Sequence, residues 1–378
     1  RSAIFAPTEN VGIVIIDEEH DSSYKSESSP RYNAKEIARI LAKHGDFPVV
    51  LGSATPDITT YYKAQKGEII MLTLTKRANN SELPEVKIID LKQELAEGNR
   101  SILSTALYEE IQKNLKDKKQ TILFLNRRGY STFIMCRECG YTVKCKNCDI
   151  SLTYHKTENK LKCHYCGYEE KPVNECPECK SLNIRYFGTG TQKLEQEVQK
   201  LFPNATTIRM DVDTVSKKNS HEEILNKFKN ENIDILIGTQ MVVKGHHFPN
   251  LTVVGVVDSD MGLFGTDFRS GEHTFQQLFQ VAGRAGRGRI PGRVLLQTYQ
   301  PDHPVITSIC NYDRDSFMST DMAGRRLAQM PPYGQLIAVI VESEKESTLA
   351  RFCADLSANA PILHGGKIMG PITAQIYQ

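Results

Sequence analysis

The sequence predicts an α/β fold, in which parallel sheets are covered by helices and one unit carries a cysteine-rich, metal-binding insertion. Three observations predict it. Short, almost unbroken apolar runs such as "VGIVIID" (Val11–Asp17) read as strands buried on both faces. They alternate with segments whose apolar residues recur at spacings of three and four, the helical period. Eight of the ten cysteines fall between Cys136 and Cys179 as four CxxC pairs.

The chain has 378 residues, which suits two or three domains. Hydrophobic residues are 40% and charged residues 24%, an ordinary globular mix. The formal net charge is only +2, so any nucleic-acid site must be a local patch. Apolar runs such as Ile13–Ile16 and Leu336–Val341 fall far short of the roughly 20 residues that span a bilayer, and no membrane partner is expected. Regular CxxC pairs favour metal over disulfides and a reducing cytoplasm. Arg1 leads almost at once into a core strand, and the chain stops soon after the strand-like "LIAVIVES". Both ends are expected to be cuts through a longer protein.

The first unit, 1–75, opens with "VGIVIID". The helix "NAKEIARILAKHG" comes next, with Ala34, Ile37, Ile40 and Leu41 at helical spacing and Gly45 as its stop. "FPVVLGSATPD" is strand into turn, and "DITTYYKAQKG" a short helix. Polar residues 76–100 begin a second unit, 76–330. Its elements include the helix "LSTALYEEIQKNLKDKK", the strand "QTILFLNRRGY", then "TTIRMDVD", "HEEILNKFKN", "IDILIGTQ", "TVVGVVDSD", the helix "FQQLFQVAGRAGR" and "GRVLLQTYQ". The cysteine-rich stretch 136–180 reads as an insertion into it. A long helical stretch, "PVITSICNYDRDSFMSTDMAGRRLAQ", leads to a partial C-terminal α+β unit, 331–378.

The cysteine pairs are Cys136/Cys139, Cys145/Cys148, Cys163/Cys166 and Cys176/Cys179. A CxxC turn puts two thiolates on one side of a knuckle, and two knuckles make the tetrahedral site that zinc favours. Eight thiolates make two such sites. Five residues separate the first two pairs, too few for a ribbon hairpin, and fourteen separate the second and third, which suits one. That favours a nested arrangement, with Cys145, Cys148, Cys163 and Cys166 on one zinc and Cys136, Cys139, Cys176 and Cys179 on the other. An interleaved cross-brace is the competing arrangement. Four thiolates leave no open position, so both zincs are expected to be structural. Lysines and tyrosines in the insert suit single-stranded nucleic acid, yet acids nearly balance the lysines, so DNA and a partner protein are both open as its contact. His155 and His164 read as ordinary surface residues.

Asp17 and Glu18, at the end of an apolar strand, suit a magnesium nucleotide. Asp17 would hold magnesium through water, and Glu18 would orient or deprotonate the water attacking the γ-phosphate. Ser53 and Thr55 in "GSATP" could relay the nucleotide state to a polynucleotide. On the late helix, Gln277, Gln280, Arg284 and Arg287 fall at spacings of three, four and three, on one face. Such arginines can act on a γ-phosphate from a second lobe. Thr239 suits contact with a nucleic-acid phosphate.

"DEEH", "GSATP", "LFLNRRGY", "IGTQMVVKGHHFP" and "QVAGRAGRG" together resemble the ordered motifs of superfamily-two DNA helicases. With the cysteine insert after "NRRGY" and "RYFGTGTQKLEQEV" beyond it, the chain is similar to the replication-restart helicases of that superfamily over nearly its whole length. The resemblance implies two RecA-like lobes, the first partial, and ATP-driven 3′-to-5′ unwinding at stalled or collapsed forks that starts primosome assembly. It implies Mg2+ and ATP as cofactors, single-stranded and forked DNA as substrates, and primosome proteins and single-stranded-DNA-binding protein as partners of a monomer. It supports the nested zinc pairing. It marks Tyr24, Arg31 and Tyr32 in "HDSSYKSESSPRYNA" as DNA-side residues of a coupling loop, with Arg127, Arg128 and Lys244 as further nucleic-acid contacts. The family's phosphate loop is expected upstream of Arg1. "FGTGTQKLEQ" (Phe187–Gln196) has the wrong spacing for a GxxxxGK[ST] loop, so this chain alone is expected to hydrolyse little ATP. A different class is a catalytically inactive zinc-ribbon module on a helicase scaffold.

Overall fold

The computed structural model describes residues 1–26, 28–74, 83–126, 133–147, 150–155, 158–187, 190–211, 220–239, 248–265, 267–286, 291–360, 365–366 and 368–372. The chain divides into two compact units: Arg1–Thr75 with Met318–Gln335, and Lys76–Phe317 with Leu336–Gln378.

In the first unit, β1 (Val14–Ile16) pairs in parallel with β2 (Val49–Leu51), and α1 (Ala34–Gly45) lies between them in sequence. The Asn33 side chain caps α1 by accepting from Lys35 N, and Asp57 caps α2 (Ile58–Gln65) by accepting from Thr60 N. Ala38 and Ile58 are fully buried here. Tyr62 of α2 meets Tyr333 edge-to-face, which ties the returning segment into this unit.

The second unit starts with β3 (Glu85–Asp90), α3 (Leu91–Ala96), α4 (Thr105–Lys116) and β4 (Gln120–Leu125). The insertion carries β5 (Phe133–Cys136), β6 (Thr153–His155), β7 (Lys160–Lys162), β8 (Glu169–Glu170) and β9 (Ile184–Phe187). Beyond it come α5 (Thr191–Leu201), β10 (Thr207–Met210), α6 (Ser220–Asn230), β11 (Ile235–Gly238), β12 (Leu251–Asp258), α7 (Asp260–Leu263), α8 (Ser270–Ala282), β13 (Arg293–Thr298) and α9 (Pro304–Cys310). Two further helices are α10 (Arg314–Leu327) and α11 (Glu346–Ala358).

The main sheet has strand order β10-β11-β4-β12-β13-β3, and every pairing in it is parallel. Every residue of β4, β11 and β12 is buried, as the apolar runs demand of a sheet covered on both faces. On one face Leu107 and Ile111 of α4 and Leu194 and Val198 of α5 pack on Leu123, Ile237 and Val253. Each such side chain contributes about 1.5–3 kcal/mol on burial. The Gln297 amide donates to Ile102 O and Val257 O and accepts from Ser104 N, joining β12, β13 and the start of α4.

The expected α/β class with a parallel sheet is what folds. Three local expectations differ. The late helix is shifted toward the N-terminus and ends at Ala282. The long helical stretch breaks into α9 and α10 at Tyr312, whose φ is +52°. "LIAVIVES" forms no strand, because its apolar residues find no pairing edge among the described residues. No helix among the described residues is long and apolar enough to cross a membrane.

Candidate functional site

β1 delivers its acids through a sharp turn. The Gly52 N–H donates to Ile16 O at 2.8 Å and the Glu19 N–H to Gly52 O at 3.0 Å, so the turn is sewn to the end of β2. Glu18 lies in the left-handed region at φ +47°, its N–H donating to Asp17 Oδ1 at 2.9 Å. That backbone conformation turns the chain sharply at the end of β1. Asp17 is exposed and Glu18 half-buried.

The third acid behaves differently. Glu19 is buried and accepts from Lys35 Nζ at 2.6 Å, Asp57 N at 2.7 Å and Thr60 Oγ1 at 3.0 Å. Lys35 also bonds Asp57. Burial, then the Asp57 charge, pushes the Glu19 carboxyl above its usual range, while Lys35 pulls it back. The next residue reaches the second strand's turn: His20 Nδ1 lies 2.7 Å from Ser53 Oγ, and that hydroxyl accepts from Thr55 N at 3.0 Å. His20 also sits 3.6 Å from Glu18 Oε2. Glu19, Lys35 and Asp57 were not singled out from the sequence. Only Glu19 carries a sequence signal, as part of the run of acids.

In the adjoining loop, Tyr24 donates its hydroxyl to Asp17 O at 2.7 Å. Tyr32 packs edge-to-face on Phe5 at 4.9 Å, and Arg31 is exposed. The Ser26 N–H donates to Tyr32 O, closing the loop at its base.

In the second unit, Thr239 comes directly after β11 and is half-buried, and Gln277 on α8 is buried. Gln280 is half-buried on the last turn of α8. Arg284 lies beyond the helix, its N–H on Val281 O at 3.0 Å. The equally spaced helix face therefore does not run through Arg284. Gly286 stands at φ +67°, and a Cβ there would collide with Gly292 N, so close backbone packing turns the chain. Arg287, Arg127, Arg128, Lys244 and Cys148 lie outside the described residues.

The cysteines gather as two groups, Cys136, Cys139, Cys176 and Cys179 in one and Cys145, Cys163 and Cys166 in the other. Sulfurs of the first group lie 3.6 Å apart for Cys136–Cys179 and 3.5 Å for Cys139–Cys176; Cys145–Cys166 is also 3.5 Å. Zinc–sulfur bonds of about 2.3 Å in a tetrahedron put sulfurs about 3.8 Å apart, so both groups fit that ion. The knuckles share one backbone design: the N–H of Cys136, Cys145, Cys163 and Cys176 donates to the carbonyl of Tyr141, Ile150, Tyr168 and Ser181. Gly140, Gly167 and Lys180 adopt positive φ just after the second cysteine of their pairs. Burial, and then contact with neighbouring sulfurs, pushes the Cys139 thiol up to about 12. Burial would raise Cys176 too, but the amides of Cys179 and Glu178 outweigh it and lower its pKa. Ile134, Val143, Leu152 and Leu161 form the insert's small core. His155 and His164 are half-buried, with Nε2 atoms 3.3 Å apart, and neither belongs to the two cysteine groups.

Residues 145–171 match the PriA DNA helicase Cys-rich region (CRR) domain, and residues 180–289 match the helicase conserved C-terminal domain. The chain is 50% identical over 379 residues to the replication restart protein PriA of Bacillus subtilis (strain 168), covering 100% of this chain and 47% of that protein. To the replication restart protein PriA of Rickettsia conorii (strain ATCC VR-613 / Malish 7) it is 40% identical over 375 residues, covering 99% and 58%. The chain thus spans about half the length of the curated relatives it matches. Among solved structures, RecG bound to a three-way DNA junction aligns with TM-score 0.43 and 13% identity over 83% of this chain and 30% of that one.

Proposed function

Because this chain is related over its full length to the PriA replication restart proteins, we propose that it is the helicase core segment of an ATP-dependent DNA helicase that restarts replication. That protein would move 3′-to-5′ on single-stranded and forked DNA at stalled or collapsed forks. It would start primosome assembly there with primosome proteins and single-stranded-DNA-binding protein, as a monomer in the cytoplasm. The observation that carries the reading is the tie from the acidic strand end to the next strand's turn, His20 Nδ1 to Ser53 Oγ at 2.7 Å.

In this reading Asp17 and Glu18 face a nucleotide's phosphates. Magnesium, when bound with ATP, supplies charge neutralisation at those phosphates. Asp17 would help hold that ion, and Glu18 would orient the attacking water and take its proton. His20 senses that end through Glu18 and passes it to Ser53 and Thr55. Arg284 and Arg287 would stabilise charge on the transferring phosphoryl group, and Gln280 would take part in the same step. Arg31, Tyr32, Tyr24, Thr239, Arg127, Arg128 and Lys244 take the DNA side, where Tyr24 must first leave Asp17 O. The two cysteine groups hold structural zinc, with Cys148 completing the inner one.

The test is Arg284→Ala in the full-length protein. DNA-stimulated ATP hydrolysis should be lost while DNA binding is retained; hydrolysis at the native rate would show that Arg284 is no finger. Glu18→Gln should abolish unwinding of forked DNA, and a variant that still unwinds overturns the enzyme reading. The 378-residue chain alone should release little phosphate with forked DNA present.

A further inference from the structure

The insertion leaves the sheet from the end of β4, beside the carboxyl ends of β12 and β13, and both of its cysteine groups reach back to that rim. Arg137, between Cys136 and Cys139, donates from Nε to the Tyr299 hydroxyl at 2.8 Å, with its guanidinium 5.9 Å from that ring's centre. Gly140, after the same knuckle, accepts from Gln300 Nε2 at 2.5 Å. A Cβ on Gly140 would stand 2.7 Å from Tyr299 O, so the knuckle backbone lies directly on the strand exit. From the other group, Tyr165, between Cys163 and Cys166, accepts on its hydroxyl from Phe268 N at 3.3 Å.

These struts bracket one short segment. Tyr299 N donates to Asp260 Oδ2 at 2.8 Å and Thr298 Oγ1 to Asp260 Oδ1 at 2.7 Å, so the outer strut passes through a buried carboxylate to the start of α7. Phe133 of β5 packs on Phe264, just past α7, at 5.5 Å. Phe268 stands two residues before α8 begins at Ser270. Asp260 is thus fastened to the outer cysteine group and Phe268 to the inner one. The chain then passes straight into α8, a rod of about 20 Å, with Gln280 on its last turn and Arg284 just beyond.

We infer that Arg137 and Tyr165 are positioning residues through which the zinc insert sets the start of α8, and so where Arg284 sits during hydrolysis. The inference rests on the proposed role of Arg284. A displacement of about 1 Å at a reacting centre can cost on the order of 100-fold in rate, so loosening the struts should lower turnover without touching nucleotide binding.

The test uses Tyr165→Phe with Arg137→Met, which keep the aromatic ring and the long stem, and Gln300→Ala, which leaves every knuckle residue in place. Zinc content should stay at the parent's value in both. Hydrogen exchange of amides in 267–282 of the 378-residue chain should rise roughly tenfold. In the full-length protein, kcat for DNA-stimulated hydrolysis should fall about tenfold or more with KM for ATP unchanged. Unchanged exchange with zinc retained overturns the struts, whatever hydrolysis does. Raised exchange with native kcat overturns the link to turnover. If Arg284→Ala is silent as well, the failure belongs to the reading of Arg284 and not to the struts.

Discussion

Glu19, the last acid of "DEEH", is joined to Lys35 at 2.6 Å inside the first unit, while Asp17 is exposed and Glu18 half-buried at the strand end. The pair links the turn after β1 to α1, and Asp57 extends it to α2. Adjacent carboxylates thus divide between one that holds the fold and two nearer the surface.

Lys35→Met should therefore cost on the order of 3–5 kcal/mol at neutral pH, since it strands a buried carboxylate without its partner. The deficit should shrink in acid. The stranded Glu19 has a raised folded pKa, so its protonated form is favoured below the ordinary value and the penalty returns as pH rises. Urea unfolding of parent and variant at two pH values measures this, and equal stability at neutral pH would sink the assignment.

The pair Asp258 and Asp260 makes a second pH-dependent term. Burial pushes Asp258 up to about 6 and, with the Asp258 charge next in size, Asp260 up to about 7, against an ordinary 3.8. Carboxyls raised in the folded state give stability that is complete below the ordinary value and lost as pH rises through about 6 to 7. Thermal melts of the zinc-loaded chain should thus decline from pH 6 to 8. Asp258→Asn keeps an acceptor for the amides of Asp260 and Met261, and it should flatten that decline. An identical slope in the variant rules the pair out as its source.

Metal content is set by the two sulfur groups. Plasma emission spectrometry should find two zincs per chain, with Cys136→Ser and Cys145→Ser each losing a different one. Structural zinc contributes apparent binding energies of about 10–16 kcal/mol per site, and two sites together exceed the roughly 6–12 kcal/mol from burying the insert's four aliphatic core side chains. A strong chelator should therefore unfold the insert. One zinc or none in the parent contradicts the double site.

Ser53→Ala removes the hydroxyl that meets His20 and accepts from Thr55 N. In the full-length protein, ATP hydrolysis should remain within about twofold while fork unwinding falls by about tenfold or more. Equal losses in both would mean that Ser53 serves hydrolysis itself and not its coupling.

Much of the fold and the site was legible as pattern. β4, β11 and β12 announce themselves as apolar runs, Asp17 and Glu18 stand at the end of one, and the knuckles are marked by CxxC spacing. The end of α8 was not legible, because the helical period continues through "AGRAGR" while the close approach of Gly286 to Gly292 stops the helix. "LIAVIVES" has strand composition, but composition does not supply an edge to pair with. Glu19 could not be told from Glu18, since only the direction of a left-handed turn separates them.

What the sequence determined by itself is local: strand and helix periods, caps such as Asn33 and Asp57, and knuckles closed within a few residues. These depend on groups that any chain of this sequence brings together. The nested pairing that the CxxC spacing favours is the one that folds, and tertiary structure decided it against the cross-brace, through contacts 43 and 37 residues apart between Cys136 and Cys179 and between Cys139 and Cys176. Tertiary structure alone set Gly140 against Gln300 and Tyr165 against Phe268, 160 and 103 residues apart. The physical reason is that the parallel sheet brings the ends of β4, β12 and β13 to one rim, and strand order is not written in any local period.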